Sequence, residues 1–169
     1  MTNDISARAA FVTRFGGVYE HSRWIAERAY DASHGALTNG ETADALAEAF
    51  SQVFAAASQA ERLAVLRAHP DLAGKLAAAR RLTAESSAEQ ASAGLDALTD
   101  AERARFEALN AAYTERFGHP FILAVKGRNK AEILEAFERR MSNTADEEFA
   151  TACGEVDRIA RLRLEEMLA

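Results

Sequence analysis

Little in this sequence can cross-link, break or stiffen the chain. There is one cysteine, Cys153, in 169 residues, so no intrachain disulfide is available and a reducing cytoplasm is the expected compartment. Two prolines and nine glycines leave long stretches free of helix breakers. No uncharged apolar run approaches the ~18 residues of a membrane span, so no membrane partner is expected. Residues 1–10 carry Asp4 and Arg8 without an apolar core, and residues 165–169 do not spell a peroxisomal address; neither a secretory signal nor that address is expected. Positive charge is in deficit, with 20 Lys and Arg against 26 Asp and Glu and a net charge of −6. Lys and Arg nowhere cluster with aromatics, so the chain lacks the footprint of a nucleic-acid binder.

What remains is an ordinary globular balance, 49% apolar and 27% charged, long enough to bury a core without staples. Thirty-nine residues are alanine, the best helix former. The helix starts are legible as capping boxes, in which a Ser or Thr and a Glu three residues on satisfy each other's orphan N–H groups. Ser58/Glu61, Thr99/Glu102 and Thr144/Glu147 fit, and Asn129/Glu132 is a close variant. Helices are predicted at about 5–15, 22–33, 42–57, 59–68, 71–81, 87–97, 100–117, 130–141 and 145–168. Ser33–Gly40 and Thr83–Ser92 read as loops. Only Pro120–Val125 reads as extended, and a lone strand has no partner. The expectation is an all-α, single-domain bundle over 1–169, with about eight or nine helices and one short extended segment.

Projecting the last helix at about 100° per residue puts Phe149, Ala152, Val156, Ile159, Ala160 and Met167 on one face. Arg163 falls in the middle of that stripe, whereas Arg158 and Arg161 point elsewhere. A guanidinium on a buried face needs an anionic partner. Either an internal salt bridge supplies it, or Arg163 lines a pocket and binds an anion.

Three further segments bear on chemistry. In His69-Pro70-Asp71-Leu72-Ala73-Gly74-Lys75 the proline forces His69 out of the preceding helix, and Asp71 can cap the next. The imidazole is thereby fixed at a helix corner, either as a structural histidine or as a functional one. Ser86 and Glu89 form another Ser-x-x-Glu pair; one reading is a further capping box, the other that Glu89 and Gln90 present a carboxylate and an amide to a polar ligand, and the two are compatible if Ser86 caps while Glu89 turns inward. The four histidines show no metal-ligand spacing, so no metal is expected. Cys153 reads as packing, and no phosphate loop, dinucleotide fingerprint or nucleophile elbow occurs.

Taken together these segments resemble the 2-oxo-4-hydroxy-4-carboxy-5-ureidoimidazoline (OHCU) decarboxylases of urate degradation. The match includes Phe15-Gly16-Gly17-Val18-Tyr19-Glu20-His21-Ser22, then His69–Lys75, Ser86-x-x-Glu89-Gln90 and Leu109-Asn110-x-x-Tyr113. It continues through Phe117-Gly118-His119-Pro120-Phe121-Ile122 and Arg161-Leu162-Arg163-Leu164. The resemblance implies an all-α homodimer that works on a small molecule without a cofactor and releases (S)-allantoin. It implies His69 as the catalytic histidine and Glu89 as its acidic partner. Pro70, Ser86, Gln90 and Arg163 are implied in substrate binding, with the backbone near Phe121 and Ile122 meeting the ring. A decarboxylase of a related ureido or imidazoline acid, or a non-catalytic helical binding protein, would be the alternatives.

Overall fold

The computed structural model describes residues 2–38, 40–73 and 83–169. Among them are eight α-helices and no strand: α1 (Thr2–Phe15), α2 (Trp24–Ala32), α3 (Ala43–Ala56), α4 (Gln59–Ala68), α5 (Ala84–Ser92), α6 (Asp100–Phe117), α7 (Lys130–Arg140) and α8 (Ala145–Met167).

The four expected capping boxes all form. Ser58 N–H donates to Glu61 Oε2 at 2.9 Å and Glu61 N–H returns to Ser58 Oγ at 3.2 Å. The same reciprocal pair opens α6 at Thr99/Glu102, α7 at Asn129/Glu132 and α8 at Thr144/Glu147. These starts were readable because every group involved lies within one turn of the chain.

Several expectations need correction. Thr83–Ser92, read as a loop, is mostly helix α5, which begins three residues before the predicted 87 and ends at Ser92 rather than 97. Thr83 is the true N-cap, its hydroxyl accepting the Ser86 N–H at 3.2 Å. The Thr83 hydroxyl captures an orphan donor one turn earlier, so Ser86 lies inside the helix and the Ser86/Glu89 capping alternative falls. Of the helix predicted over 71–81, residues 71–73 form a turn instead and 74–81 lie outside the described residues. On α8, Met167 is not part of the buried face: it is 41% exposed at the helix end, while Leu164, next to Arg163, is fully buried.

Contacts within the chain group into two compact units, Met1–Ala68 with Asp157–Ala169, and His69–Val156. The first has an aromatic core of Phe11, Phe15, Tyr19, Tyr30, Phe50 and Phe54. The second is built on Phe106, Tyr113, Phe121, Ile133 and Phe137, with Leu72 and Ala73 in the same cluster. Helix α8 gives residues 145–156 to the second unit and its remainder to the first.

Pro120–Val125, expected to be extended, forms neither helix nor strand and belongs to the second unit's core. Lacking a strand partner, it is fastened by side chains instead. Ile122 C=O accepts from Arg140 Nη1 at 2.6 Å, Ala124 N–H donates to Glu155 Oε2 at 2.7 Å, and Ala124 C=O accepts from Arg128 Nε at 3.1 Å.

Candidate active site

Helix α4 stops at Ala68, because the proline at 70 disfavours helical backbone at His69. His69 is buried at 8% exposure and opens a tight turn. Ala73 in that turn has φ +52, a left-handed conformation that costs a non-glycine residue of order 1–3 kcal/mol. Two amide side chains hold it there. Gln90 Oε1 accepts the Ala73 N–H at 2.9 Å and Gln90 Nε2 donates to Asp71 C=O at 3.3 Å. Asn110 Nδ2 donates to Leu72 C=O at 2.8 Å. The backbone following the imidazole is thus clasped from α5 and α6. Partial burial pushes the Asp71 carboxyl above its ordinary pKa.

Helix α5 presents Ser86 and Gln90, one turn apart and both buried, on the same face. Glu89 is half-buried beside them. The structure therefore brings Gln90 directly against the His69–Ala73 turn, with Ser86 on the same helical face. An amide can make four hydrogen bonds, so the two that Gln90 spends on the turn leave capacity for a ligand. Pro70 is half-buried in the turn itself.

Phe121 and Ile122 are buried at 0% and 2% exposure. One edge of their segment is taken by the side chains of Arg140, Glu155 and Arg128. On the other, the Phe121 C=O and the Leu123 N–H and C=O have no hydrogen-bond partner among the described residues. Buried backbone groups are paired in more than about 90% of cases. An unmatched row of donor and acceptor is thus a place where an amide-rich ligand gains most.

Sequence reasoning missed Arg140, Glu148, Asn110 and Glu155. Arg140 pairs with Glu148, with side-chain exposures of 7% and 0%; Glu148 also accepts from Tyr113 Oη and from Asn143 Nδ2. Burial, reinforced by the neighbouring Glu148 carboxylate, pushes the Tyr113 hydroxyl's pKa upward and keeps it a neutral donor. A helical projection could have found both partners. Arg140 continues the buried Ile133, Ala136, Phe137 stripe of α7, and Glu148 precedes Ala152 and Val156 by one and two turns.

Arg163 belongs to the first unit and is described there by itself. Its side chain is 4% exposed, as the projection expected, and Arg158 and Arg161 are exposed. Arg163 Nη2 lies 3.1 Å from Glu20 Oε2 and Nη1 donates to Val18 C=O at 3.2 Å. The internal salt bridge is therefore formed, between the final helix and the Phe15–Ser22 segment. Among the described residues no cluster of three or more His, Cys, Asp or Glu is placed to hold a metal ion.

Comparison with known proteins places these residues in context. A family model described as OHCU decarboxylase matches residues 5–165. A 2-oxo-4-hydroxy-4-carboxy-5-ureidoimidazoline decarboxylase of Haloferax volcanii is 43% identical over 157 residues, covering 93% of this chain and 88% of its own length. The uric acid degradation bifunctional protein PucL of Bacillus subtilis is 37% identical over 153 residues, covering 90% of this chain but only 29% of that protein. A crystal structure of (S)-allantoin synthase superposes with a TM-score of 0.75 at 32% identity, covering 99% of this chain, which spans about half (53%) of that one.

Proposed function

This chain belongs to the OHCU decarboxylase family, whose model spans both units, and from that premise we propose that it decarboxylates 2-oxo-4-hydroxy-4-carboxy-5-ureidoimidazoline to (S)-allantoin in urate degradation. That continuous match also supports treating 1–169 as one functional domain. No helix among the described residues is long and apolar enough to cross a membrane. We further propose a cytoplasmic homodimer.

The substrate carries a carboxylate and a hydroxyl on one ring carbon, beside a ring C=N. When the C–CO2 bond breaks and CO2 leaves, its electron pair forms a ring C=C, the imine pair moves onto the ring nitrogen, and that nitrogen takes up a proton to leave a neutral enol. The hydroxyl then loses its proton, and the neighbouring carbon gains one from a single face, which sets the S configuration. The substrate is its own electron sink, so no cofactor is invoked. The protein must bind the ring, orient the carboxylate and manage the protons at the ring nitrogen, the hydroxyl and the neighbouring carbon. A buried histidine with a carboxylate partner suits the proton work, and His69 with Glu89 is assigned that role. Ser86, Gln90 and the backbone at Pro70, Phe121 and Ile122 are assigned to binding the ring and ureido group. Arg163 is assigned to an anionic or polar part of the substrate, on the resemblance and its buried place on α8.

The observation that carries most weight is the clasped turn after His69, fastened by Gln90 and Asn110. A structural histidine needs no such preorganisation, whereas acid–base catalysis needs a fixed imidazole. The test is to add the purified protein to freshly generated substrate and follow allantoin by circular dichroism. Rapid formation of the S enantiomer, unaffected by EDTA, is expected. Racemic product at the spontaneous rate would sink the assignment, and an EDTA loss restored by one metal would sink the cofactor-free part of it.

A further inference from the structure

Arg140 does more than pair with Glu148. Its Nε donates to Glu148 Oε1 at 2.8 Å while its Nη1 donates to Ile122 C=O at 2.6 Å. The guanidinium carbon also lies 4.4 Å from the centre of the Phe121 ring, which stacks on Phe137 at 3.9 Å. One side chain thus restrains two consecutive residues of the extended segment. Glu148 is in turn held by Tyr113 and Asn143, so the guanidinium plane has little freedom.

The peptide bonds here are all trans, and in a trans peptide C=O and N–H point in opposite directions. The carbonyl that Arg140 engages and the N–H of Leu123 belong to the same peptide unit. A charge-assisted hydrogen bond to the carbonyl polarises that unit and makes its N–H a stronger donor. Leu123 N–H lies on the edge with no partner among the described residues. We propose that Arg140 is a positioning residue of the reaction: it fixes and polarises the Ile122–Leu123 peptide so that the Leu123 N–H binds a substrate oxygen, with Glu148 holding the guanidinium in place. This rests on the reading that the extended segment receives the substrate.

Removing one charge alone would strand the other in the core, so the test uses the paired variant Arg140→Met/Glu148→Met, beside Arg140→Lys. Replacing a buried ion pair with apolar side chains of similar volume is often neutral or stabilising. Three quantities are measured: melting temperature, kcat and KM with OHCU, and the Leu123 amide resonance on titration with (S)-allantoin. In the wild type that resonance should move downfield with ligand. In the folded paired variant the movement should shrink and KM should rise about tenfold, one hydrogen bond's worth, with a smaller change in kcat. Lysine keeps the charge without the fork, so Arg140→Lys should give an intermediate KM. If the paired variant does not fold, Arg140→Lys decides by the same KM and amide readouts. Wild-type KM and an undiminished Leu123 movement in a folded variant would overturn the role of Arg140 while leaving the segment reading intact. A Leu123 amide that ignores (S)-allantoin in the wild type would overturn the segment reading, and the proposal with it.

Discussion

The chain has two His-Pro corners, and they come to different ends. His69-Pro70 follows α4; His119-Pro120 follows α6 and its left-handed cap Gly118, with φ +77. Both histidines are buried, at 8% and 2% exposure. His119 is set among aromatics, its ring 5.6 Å from Tyr113 and 6.4 Å from Phe117, with Nδ1 3.0 Å from the Pro120 carbonyl. His69 instead heads a turn whose next carbonyls and N–H are gripped by Gln90 and Asn110. The proline disfavours helical backbone at the histidine in both places, although α6 has already ended at its Gly118 cap. Neighbours far away in sequence decide what surrounds each imidazole.

That contrast can be broken most directly by His69→Asn and His119→Asn, side by side. His69→Asn should lose about 10²–10⁴-fold in turnover at nearly unchanged melting temperature. His119→Asn should mainly lower the melting temperature, because an amide replaces a ring packed between aromatics. If the two variants exchange phenotypes, the catalytic assignment of His69 is wrong.

A second contrast pairs the buried arginines. Arg163 meets Glu20 and the Val18 carbonyl in the first unit; Arg140 meets Glu148 and the Ile122 carbonyl in the second. Removing one partner of a buried pair strands a charge, at about 3–5 kcal/mol. Glu148→Ala and Glu20→Ala should therefore both unfold at distinctly lower urea concentration than the wild type. A loss below about 1 kcal/mol at either site would mean that water reaches that pair.

Smaller effects separate the members of the clasp. Gln90→Ala should cost about 1–3 kcal/mol, since it leaves the Ala73 N–H buried without an acceptor, and should depress turnover through the histidine turn. Because Thr83 rather than Ser86 caps α5, Glu89→Ala should reduce turnover without changing stability. Thr83→Ala should do the reverse, at about 0.5–2 kcal/mol. Parallel melting and rate measurements distinguish them; a marked drop in the melting temperature of Glu89→Ala would return Glu89 to a structural role.

The smallest effect lies at the start of α4. Arg28 and the Ser58 cap hold the Glu61 carboxyl down to about pKa 2 from an ordinary 4.5. A depressed carboxyl contributes stability above its unfolded pKa and loses it as pH falls toward the folded value. Wild-type stability should therefore decline relative to Glu61→Gln between about pH 4.5 and 2, by a modest amount because the pair is solvent-screened. A constant difference across that range would remove Glu61 from the acid response.

Legibility followed the distance over which each interaction acts. The helices that begin at capping boxes, and α8's buried face around Arg163, could be read from neighbours in sequence. Helix α5 was harder, because Thr83, Ser86 and Ser87 compete for one cap and small polar residues favour turn and helix start alike. Arg140 was passed over because it follows Arg139 at a helix C-terminus, where basic residues ordinarily face solvent and the helix dipole. Only its place on the stripe of α7 sets it apart.

By itself the sequence determined the helical class, the places where most helices start, and the end of α4 at His69. In each of these the donor, the acceptor and the steric clash lie within one turn of chain. Tertiary structure decided which polar groups enter the core and what they do there. Asn110 reaches Leu72 across 38 residues, and Arg163 reaches Glu20 across 143. Whether a buried charge or amide meets such a partner depends on how the helices pack, because the penalty for leaving it unmatched appears only once water has been excluded.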